Sequence, residues 1–132
     1  MASDKPWNEV WVVEALKPAT PETVRALIRD GKVLAFTDDD SIVLAQDRGD
    51  GDCEWHWFFR PKMPMSDKRA RLRPVVQSLI ASGFRCGIGM TPRHNLPARI
   101  FNRAMGAQRV GEKEGGLLYF IDLNEWLAKN GE

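Results

Sequence analysis

The sequence predicts an α/β protein in which a mixed sheet is covered by helices. Segments of β-rich and helical pattern follow one another in the order β-α-β-β-β-α-β-α-β-β-α, with three strands at hairpin spacing and then a strand–helix–strand unit. The composition is that of an ordinary globular protein, with 43% hydrophobic and 28% charged residues among 132. We therefore expect residues 7–132 to form a single domain and residues 1–6 to be a loose end.

The first predicted elements are a strand and a helix. Residues 7–16 are rich in β-branched and aromatic side chains, which indicates a strand. Thr20 suits the N-cap of the helix that follows, because Pro21 is tolerated at a first helical position, and Gly31 is a typical stop. The apolar stripe of this helix comprises Val24, Leu27 and Ile28.

Three strands with turn-rich connections come next, over residues 32–37, 41–46 and 53–60. The acidic stretch 47–52 between the last two is interpreted as a hairpin turn, since it lacks the ligand ladder of a calcium loop. The third strand alternates, and two large apolar sets predict a central strand that is covered on both faces. One face carries Trp55, Trp57 and Phe59, and the other carries Glu54, His56 and Phe58.

A long amphipathic helix is predicted over residues 67–81, with Ser66 as its N-cap. Pro74 falls in its interior, so the helix should be kinked there or begin near Arg73. Its buried face is expected to contain Leu72, Val75, Val76, Leu79 and Ile80, and its opposite face Lys68, Arg69, Arg71 and Arg73.

The last third of the chain predicts a strand, a helix, a hairpin and a short helix. The strand covers residues 85–91, and the helix at about 96–105 is capped by Asn95 and stopped by Gly106. The hairpin strands cover residues 108–112 and 116–122. The final helix, 124–129, is capped by Asp122.

Charge is distributed unevenly along the chain. Residues 1–54 carry six Lys and Arg against twelve Asp and Glu, whereas residues 55–111 carry eleven Lys and Arg and one acid, Asp67. This pattern indicates either a basic face for an anionic partner or two segments that neutralise each other.

Several classes of protein are excluded or disfavoured by the composition. No apolar run approaches the ~18 residues of a membrane span, so no membrane role is expected. Two cysteines, Cys53 and Cys86, are too few for a disulfide framework and, with His56 and His94, show no zinc-ligand spacing, so we expect no metal site. The start of the chain has no signal-peptide layout, which indicates an intracellular, cytoplasmic protein.

Around the helix predicted at 96–105, four residues fall in register with a known motif: Asn95, Ala98, Phe101 and Gly106. With the order of strands and helices over about residues 8–122, this segment resembles the GNAT superfamily of N-acetyltransferases. The resemblance implies a twisted, mostly antiparallel sheet with a central parallel strand pair. It also implies acetyl-CoA as cofactor and acyl donor if the protein is an enzyme.

The chain departs from the family at two functional positions. The glycine-rich turn that cradles the coenzyme A pyrophosphate aligns with residues 63–68, which contain no glycine. Asn102 occupies the place of the tyrosine that protonates the leaving thiolate in many relatives. Phosphate could instead be held by Lys68, Arg69 and Arg71, while Gly87, Gly89 and Asn95 would contact the thioester and the coenzyme arm. The candidate catalytic residues are Glu54, His56 and His94.

These departures favour a non-catalytic function. Small GNAT-like proteins of short-tailed bacteriophages are similar in length and have a basic, glycine-free turn, which implies a virion structural, assembly or binding protein without a cofactor. The alternative is an acetyl-CoA-dependent N-acetyltransferase, and a third hypothesis is nucleic-acid binding through the basic face. We expect contacts with another protein, such as a virion component, or with an acidic or phosphate-bearing partner. The expected contact residues are Arg69, Arg71, Arg73, Arg99, Arg103, Trp7 and Trp126.

Overall fold

The computed structural model describes residues 4–130, so residues 1–3 of the expected loose end and residues 131–132 lie outside the described part. A 3₁₀ helix, Lys5–Asn8, precedes five α-helices and six strands in the described chain. In chain order these are α1 (Val10–Leu16), α2 (Pro21–Arg29), β1 (Leu34–Asp38), β2 (Ser41–Gly49), β3 (Asp52–Phe59), α3 (Met65–Ala81), β4 (Cys86–Pro92), α4 (Leu96–Ala104), β5 (Gln108–Lys113), β6 (Gly116–Asp122) and α5 (Leu123–Asn130).

The six strands form one mixed sheet in the order β1-β2-β3-β4-β6-β5. Strands β3 and β4 pair in parallel, and the pairs β1–β2, β4–β6 and β5–β6 are antiparallel. The crossover from β3 through α3 to β4 accounts for the parallel pair, because parallel strands need a long connection. The α/β architecture with a central parallel pair is therefore confirmed.

The chain divides into two compact units. Among the described residues, the first unit contains 4–46 and 55–64, and the second contains 47–54 and 65–130. The core of the first unit is formed by Trp7, Val12, Leu16, Val24, Ile42 and Leu44. In the second unit, α3 packs against α5, and the buried side chains include Leu72, Val76, Leu79, Leu117 and Leu123.

The prediction of a strand over residues 7–16 is wrong, because this segment forms the end of the 3₁₀ helix and α1. Val12 and Leu16, four residues apart, are buried on one side of α1, whereas Val10 is 77% exposed. Packing of this helical face outweighs the β-propensity of single residues, which spans only ~1 kcal/mol. Of the described residues in the expected loose end, Asp4 and Lys5 are exposed and Pro6 is buried.

The helix predicted from Thr20 and Pro21 is confirmed as α2. The Thr20 side chain accepts a hydrogen bond from the Thr23 backbone N–H at 3.2 Å, and Gly31 is left-handed at a φ of 74° just after the helix. The apolar stripe is narrower than expected, because Val24 is buried but Leu27 is exposed.

Helix α3 begins earlier than predicted and runs through Pro74 without ending. Ser66 therefore lies inside the helix and is not its cap, and a start near Arg73 is wrong. Pro74 has no backbone N–H, so the Ala70 carbonyl loses its hydrogen bond within the helix. Both residues lie on the exposed side of α3, where water can donate a hydrogen bond to that carbonyl. The predicted buried face is confirmed at Leu72, Val75, Val76 and Leu79.

The caps of the last two helices are also confirmed. Asn95 Oδ1 accepts a hydrogen bond from the Ala98 backbone N–H at 3.2 Å, and Asp122 Oδ1 accepts one from the Glu125 backbone N–H at 3.0 Å. Across residues 4–130, none of the helices combines the length and the apolar character that a membrane span requires.

Candidate functional site

The tip of the β2–β3 hairpin is fastened to the start of β4. Asp50 and Gly51 have φ values of 56° and 83°, as an Asp-Gly hairpin turn requires. Arg85 Nη2 donates to the Asp50 carbonyl at 2.8 Å, and the Arg85 backbone N–H donates to the Gly51 carbonyl at 2.7 Å. These bonds set the register between β3 and β4.

The parallel ladder that follows is short. It joins Asp52 to Cys86, Cys53 to Gly87 and Glu54 to Ile88, while β3 continues to Phe59 and β4 to Pro92. The Cys86 N–H donates to the Gly51 carbonyl on the β3 side of the strand. Backbone polar groups alternate along a strand, so those of Met90 point to the same side, beyond the last pair of the ladder.

A cleft of about 250 Å³ lies beside the end of this ladder, within the second unit. Arg48 Nε and Nη2 both donate to Glu54 Oε1 in the cleft wall, at 2.9 and 2.5 Å. The side chains of Arg48 and Glu54 are 50% and 34% exposed, so the ion pair is accessible to a ligand. The lining residues are Arg48, Glu54, Ile88, Gly89, Met90, Lys113, Glu114 and Leu118.

The cleft and α4 lie on opposite faces of the sheet. Glu54 pairs with Ile88, and Met90 with Leu118, so these cleft residues share one face. Thr91 follows Met90 and therefore points to the other face, where Asn102 of α4 donates from Nδ2 to Thr91 Oγ1 at 2.8 Å. The sequence analysis did not identify Thr91 as a candidate site residue. The alternation of side chains along the strand could have indicated that Thr91 points to the face opposite Met90.

Asn102 stands where the resemblance implied a tyrosine acid, and its amide is engaged with Thr91. Because Thr91 Oγ1 is the acceptor in that bond, the Thr91 hydroxyl keeps its own hydrogen for a second partner. This pair can donate a hydrogen bond, but neither group can release a proton near neutral pH.

The basic residues of α3 turn towards other helices of the same unit. The Lys68 ammonium lies 4.8 Å from the ring centre of Phe101, and Arg69 Nη2 donates to the Ala104 carbonyl at 3.3 Å. Arg73 Nε donates to the Asn130 carbonyl at 2.7 Å. These side chains, with Arg71, are half-buried, which differs from the exposed face expected from the sequence.

The segment before α3 also differs from the sequence alignment. Because α3 starts at Met65, Asp67 and Lys68 belong to its first turn, and the glycine-free loop is confined to residues 60–64. Lys62 adopts a φ of 70°, so a residue other than glycine supplies the left-handed conformation there.

The other predicted catalytic and cofactor residues are dispersed. Gly89 lines the cleft, Gly87 is buried in β4, and Asn95 caps α4. His94 is exposed in the turn before α4. His56 belongs to the first unit, where its ring stacks on Phe58 at 6.5 Å.

The residues predicted to contact a partner fall into two groups. Arg103 is exposed, and Arg99 is half-buried with Nη1 donating to the Arg93 carbonyl at 3.1 Å. The exposure expected of two tryptophans is wrong, because Trp7 belongs to the core of the first unit and Trp126 is only 4% exposed.

Neither cysteine suits a nucleophile. Burial raises the pKa of Cys53 to about 11, and burial with the nearby Asp52 carboxylate raises the pKa of Cys86. Cys53 and Asp52 are neighbours on one strand, and Cys86 pairs with Asp52, so the two thiols point to opposite faces and cannot form a disulfide.

Comparison with known proteins places the fold. No protein-family model matches the sequence, and no curated protein is significantly similar to it. Among solved structures, a spermidine N-acetyltransferase chimera of Vibrio cholerae and human sequence matches with a TM-score of 0.70 and 11% identity, covering 96% of each chain. A putative GNAT-family acetyltransferase from Desulfovibrio desulfuricans matches with a TM-score of 0.63 and 19% identity, covering 85% of this chain and 88% of the other.

RimJ of Mycobacterium smegmatis, in complex with CoA-disulfide, matches with a TM-score of 0.58 and 16% identity over 84% of this chain. This chain spans 66% of the length of RimJ. The protein therefore has the GNAT acetyltransferase fold.

Proposed function

We propose that the protein is an N-acetyltransferase that transfers an acetyl group from acetyl-CoA to an amine bound in the cleft. The observation that carries this proposal is the position of Glu54. It occupies the last pair of the parallel ladder and lines a cleft of about 250 Å³. A carboxylate at that point can accept the proton that an ammonium must lose before its nitrogen attacks.

Residues of the second unit fit coenzyme A in part. The backbone N–H groups of the first turn of α3 are available to a phosphate. Arg69 lies on the same helix, and its buried Nε has no hydrogen-bond partner within residues 4–130. Asp67 in the same turn opposes phosphate binding. Lys68 would hold phosphate only by leaving the Phe101 ring.

In the proposed reaction, acetyl-CoA supplies the acetyl group and the protein removes a proton from the amine. Acetyl-CoA, when bound, supplies a thioester whose C–S bond breaks as the amine nitrogen forms the new amide bond. Glu54, which pairs with Arg48 before a ligand binds, takes the proton that the ammonium must lose. The second proton, which the nitrogen loses as the amide forms, passes to solvent. Thr91, oriented by Asn102, can donate only a hydrogen bond, so the proton that ends on the thiol comes from solvent.

The test is acetyl transfer to a panel of amines, followed by thiol release and by mass spectrometry of the product. Glu54→Gln should lower kcat by about 100-fold or more, because general base catalysis contributes about 10²–10⁴-fold. Asp52→Asn is a matched control. It lies two residues earlier on the same strand and face and does not line the cleft, so kcat should stay within a few-fold of wild type.

Binding is measured separately by thermal melting with acetyl-CoA. Saturation at 100 times Kd adds about 2.7 kcal/mol of stability, a shift of several degrees. Absence of both the shift and acetyl transfer would refute the enzyme hypothesis. The non-catalytic assembly role and nucleic-acid binding stay predictions, and we attach neither to a specific structural feature.

A further inference from the structure

The cleft carries equal numbers of positive and negative side chains. Arg48 and Glu54 form an ion pair in its wall, and Lys113 and Glu114 stand at the β5–β6 turn. Within residues 4–130 neither Lys113 nor Glu114 makes an ion pair, and both side chains are exposed. A ligand that carries only positive charge would meet Arg48 and Lys113 without enough anions to offset them.

The rest of the cleft is apolar. Ile88, Met90 and Leu118 line it from one face of the sheet, because Ile88 and Met90 alternate along β4 and Leu118 pairs with Met90. A cavity of about 150 Å³ admits benzene, which has six non-hydrogen atoms. The volume of about 250 Å³ therefore suits a ligand of roughly ten non-hydrogen atoms.

We propose that the acceptor is a free α-amino acid with an aliphatic or thioether side chain; this inference rests on the proposed acetyltransferase function. Glu54 would take the α-ammonium group, and Arg48 the α-carboxylate. Binding then replaces the ion pair between Arg48 and Glu54 by one ion pair from each of these residues to the ligand. The exchange is favoured because the Arg48–Glu54 pair is half-exposed, and such a pair contributes little to stability.

The same arrangement explains which amines should be poor acceptors. An amine without a carboxylate offers Arg48 no new partner. Arg48 then stays paired with Glu54 and competes with the ammonium group of the amine for that carboxylate. A peptide N-terminus has an amide where the carboxylate should be, and an amide offers Arg48 a neutral acceptor only. Arg48 is thus a specificity-determining residue for the carboxylate.

Three acceptors that share the leucine side chain test this inference: leucine, which has a carboxylate, leucinamide, which has an amide in its place, and 3-methylbutylamine, which has neither. Leucine should be acetylated with a kcat/KM about 10-fold or more above the other two, the scale of one charge-assisted hydrogen bond. Arg48→Gln should bring the ratio of leucine to 3-methylbutylamine towards one. Arg109→Gln is the matched control, since Arg109 is a similarly exposed arginine paired with Glu112 outside the cleft, and should keep the ratio.

Thermal melting without acetyl-CoA provides a second measurement. Leucine should raise the melting temperature of the wild type and not of R48Q, and 3-methylbutylamine should raise neither. If R48Q does not fold, Lys113→Gln at the exposed turn replaces it and should lower the preference for leucine.

The outcomes separate the two proposals. If amines are acetylated without preference for leucine, the amino-acid inference is overturned and the acetyltransferase proposal stands. If no amine is acetylated, the enzyme proposal fails, and stabilisation by leucine alone still supports an amino-acid site. If no amine is acetylated and leucine does not raise the melting temperature, both proposals are overturned.

Discussion

The β2–β3 turn provides a sharp test of the contact that sets the register of β3 and β4. A Cβ atom placed on Gly51 would lie 2.7 Å from Arg85 Nε, and Gly51 has a left-handed φ of 83°. Gly49, two residues earlier, has a similar φ of 89° and nothing within 4 Å of the same Cβ position. Both substitutions place an alanine in a left-handed backbone conformation. Gly51→Ala also creates a steric conflict with Arg85, whereas Gly49→Ala does not.

The magnitude follows from two contributions. A left-handed alanine costs about 1–2 kcal/mol at either position. At Gly51 the flexible Arg85 side chain must also move, which removes its 2.8 Å hydrogen bond to the Asp50 carbonyl. Because Arg85 is exposed, we assign that bond about 0.5–1 kcal/mol. We expect G51A to lower the free energy of unfolding by about 1.5–3 kcal/mol and G49A by about 1–2 kcal/mol.

Urea denaturation followed by tryptophan fluorescence measures both variants. In an Arg85→Ala background the two alanine substitutions should cost the same, because the contact that distinguishes them is gone. If G51A were no more destabilising than G49A in the wild-type background, the reasoning about the Arg85 contact would be refuted.

Three further predictions concern stability and reactivity. Leu72→Ala should lower the free energy of unfolding by about 2–5 kcal/mol, because Leu72 is 0% exposed in α3; a cost below 1 kcal/mol in urea denaturation would contradict this packing. Cys53 should resist alkylation by iodoacetamide at pH 8 until the protein unfolds, because its pKa of about 11 and its burial suppress the thiolate; rapid modification in native buffer, detected by mass spectrometry, would disprove it. Arg93 and Arg109 lower the pKa of Glu112, so their ion pairs stabilise the fold above the ordinary glutamate pKa and lose that effect as pH falls through the lowered value. Glu112→Gln should therefore destabilise the protein at pH 7 and progressively less as the pH falls through the lowered pKa of Glu112. A loss of stability in urea that does not shrink towards acid pH would argue against this linkage.

Features that depend on neighbours in the chain could be predicted from the sequence. The caps Thr20, Asn95 and Asp122 are confirmed, because a cap bonds to a backbone N–H two or three residues ahead. The buried face of α3 and the position of Glu54 on the face of β3 opposite Trp55 follow from the periods of a helix and a strand.

Residues 7–16 show where such local evidence fails. Their side chains favour a strand, yet Val12 and Leu16 are buried on one side of a helix. The energy of burying that face comes from residues far along the chain, including Ile42, which no local pattern reveals.

The candidate site shows the same division. Glu54 and Gly89 were predicted from the sequence, but Arg48 was missed. The signal was present: Asp50 and Gly51 form the turn, and Arg48 and Glu54 lie on either side of it, close enough for a contact across the hairpin. Lys68 was expected to be exposed, but it lies over the ring of Phe101, 33 residues later, as only the packing of α3 and α4 could establish.

The sequence by itself determined the helix caps, the hairpin turns, the alternation that places Glu54 and Trp55 on opposite faces of β3, and the mixed α/β order of the last two thirds of the chain. Each of these features depends on contacts within a few residues. The tertiary structure alone decided that residues 10–16 are helical, that the parallel ladder stops at Glu54 and Ile88, and that Arg48, Glu54 and Lys113 line one cleft. Those features depend on which distant segments pack together, and the free energy of that packing exceeds the local preferences of the residues involved.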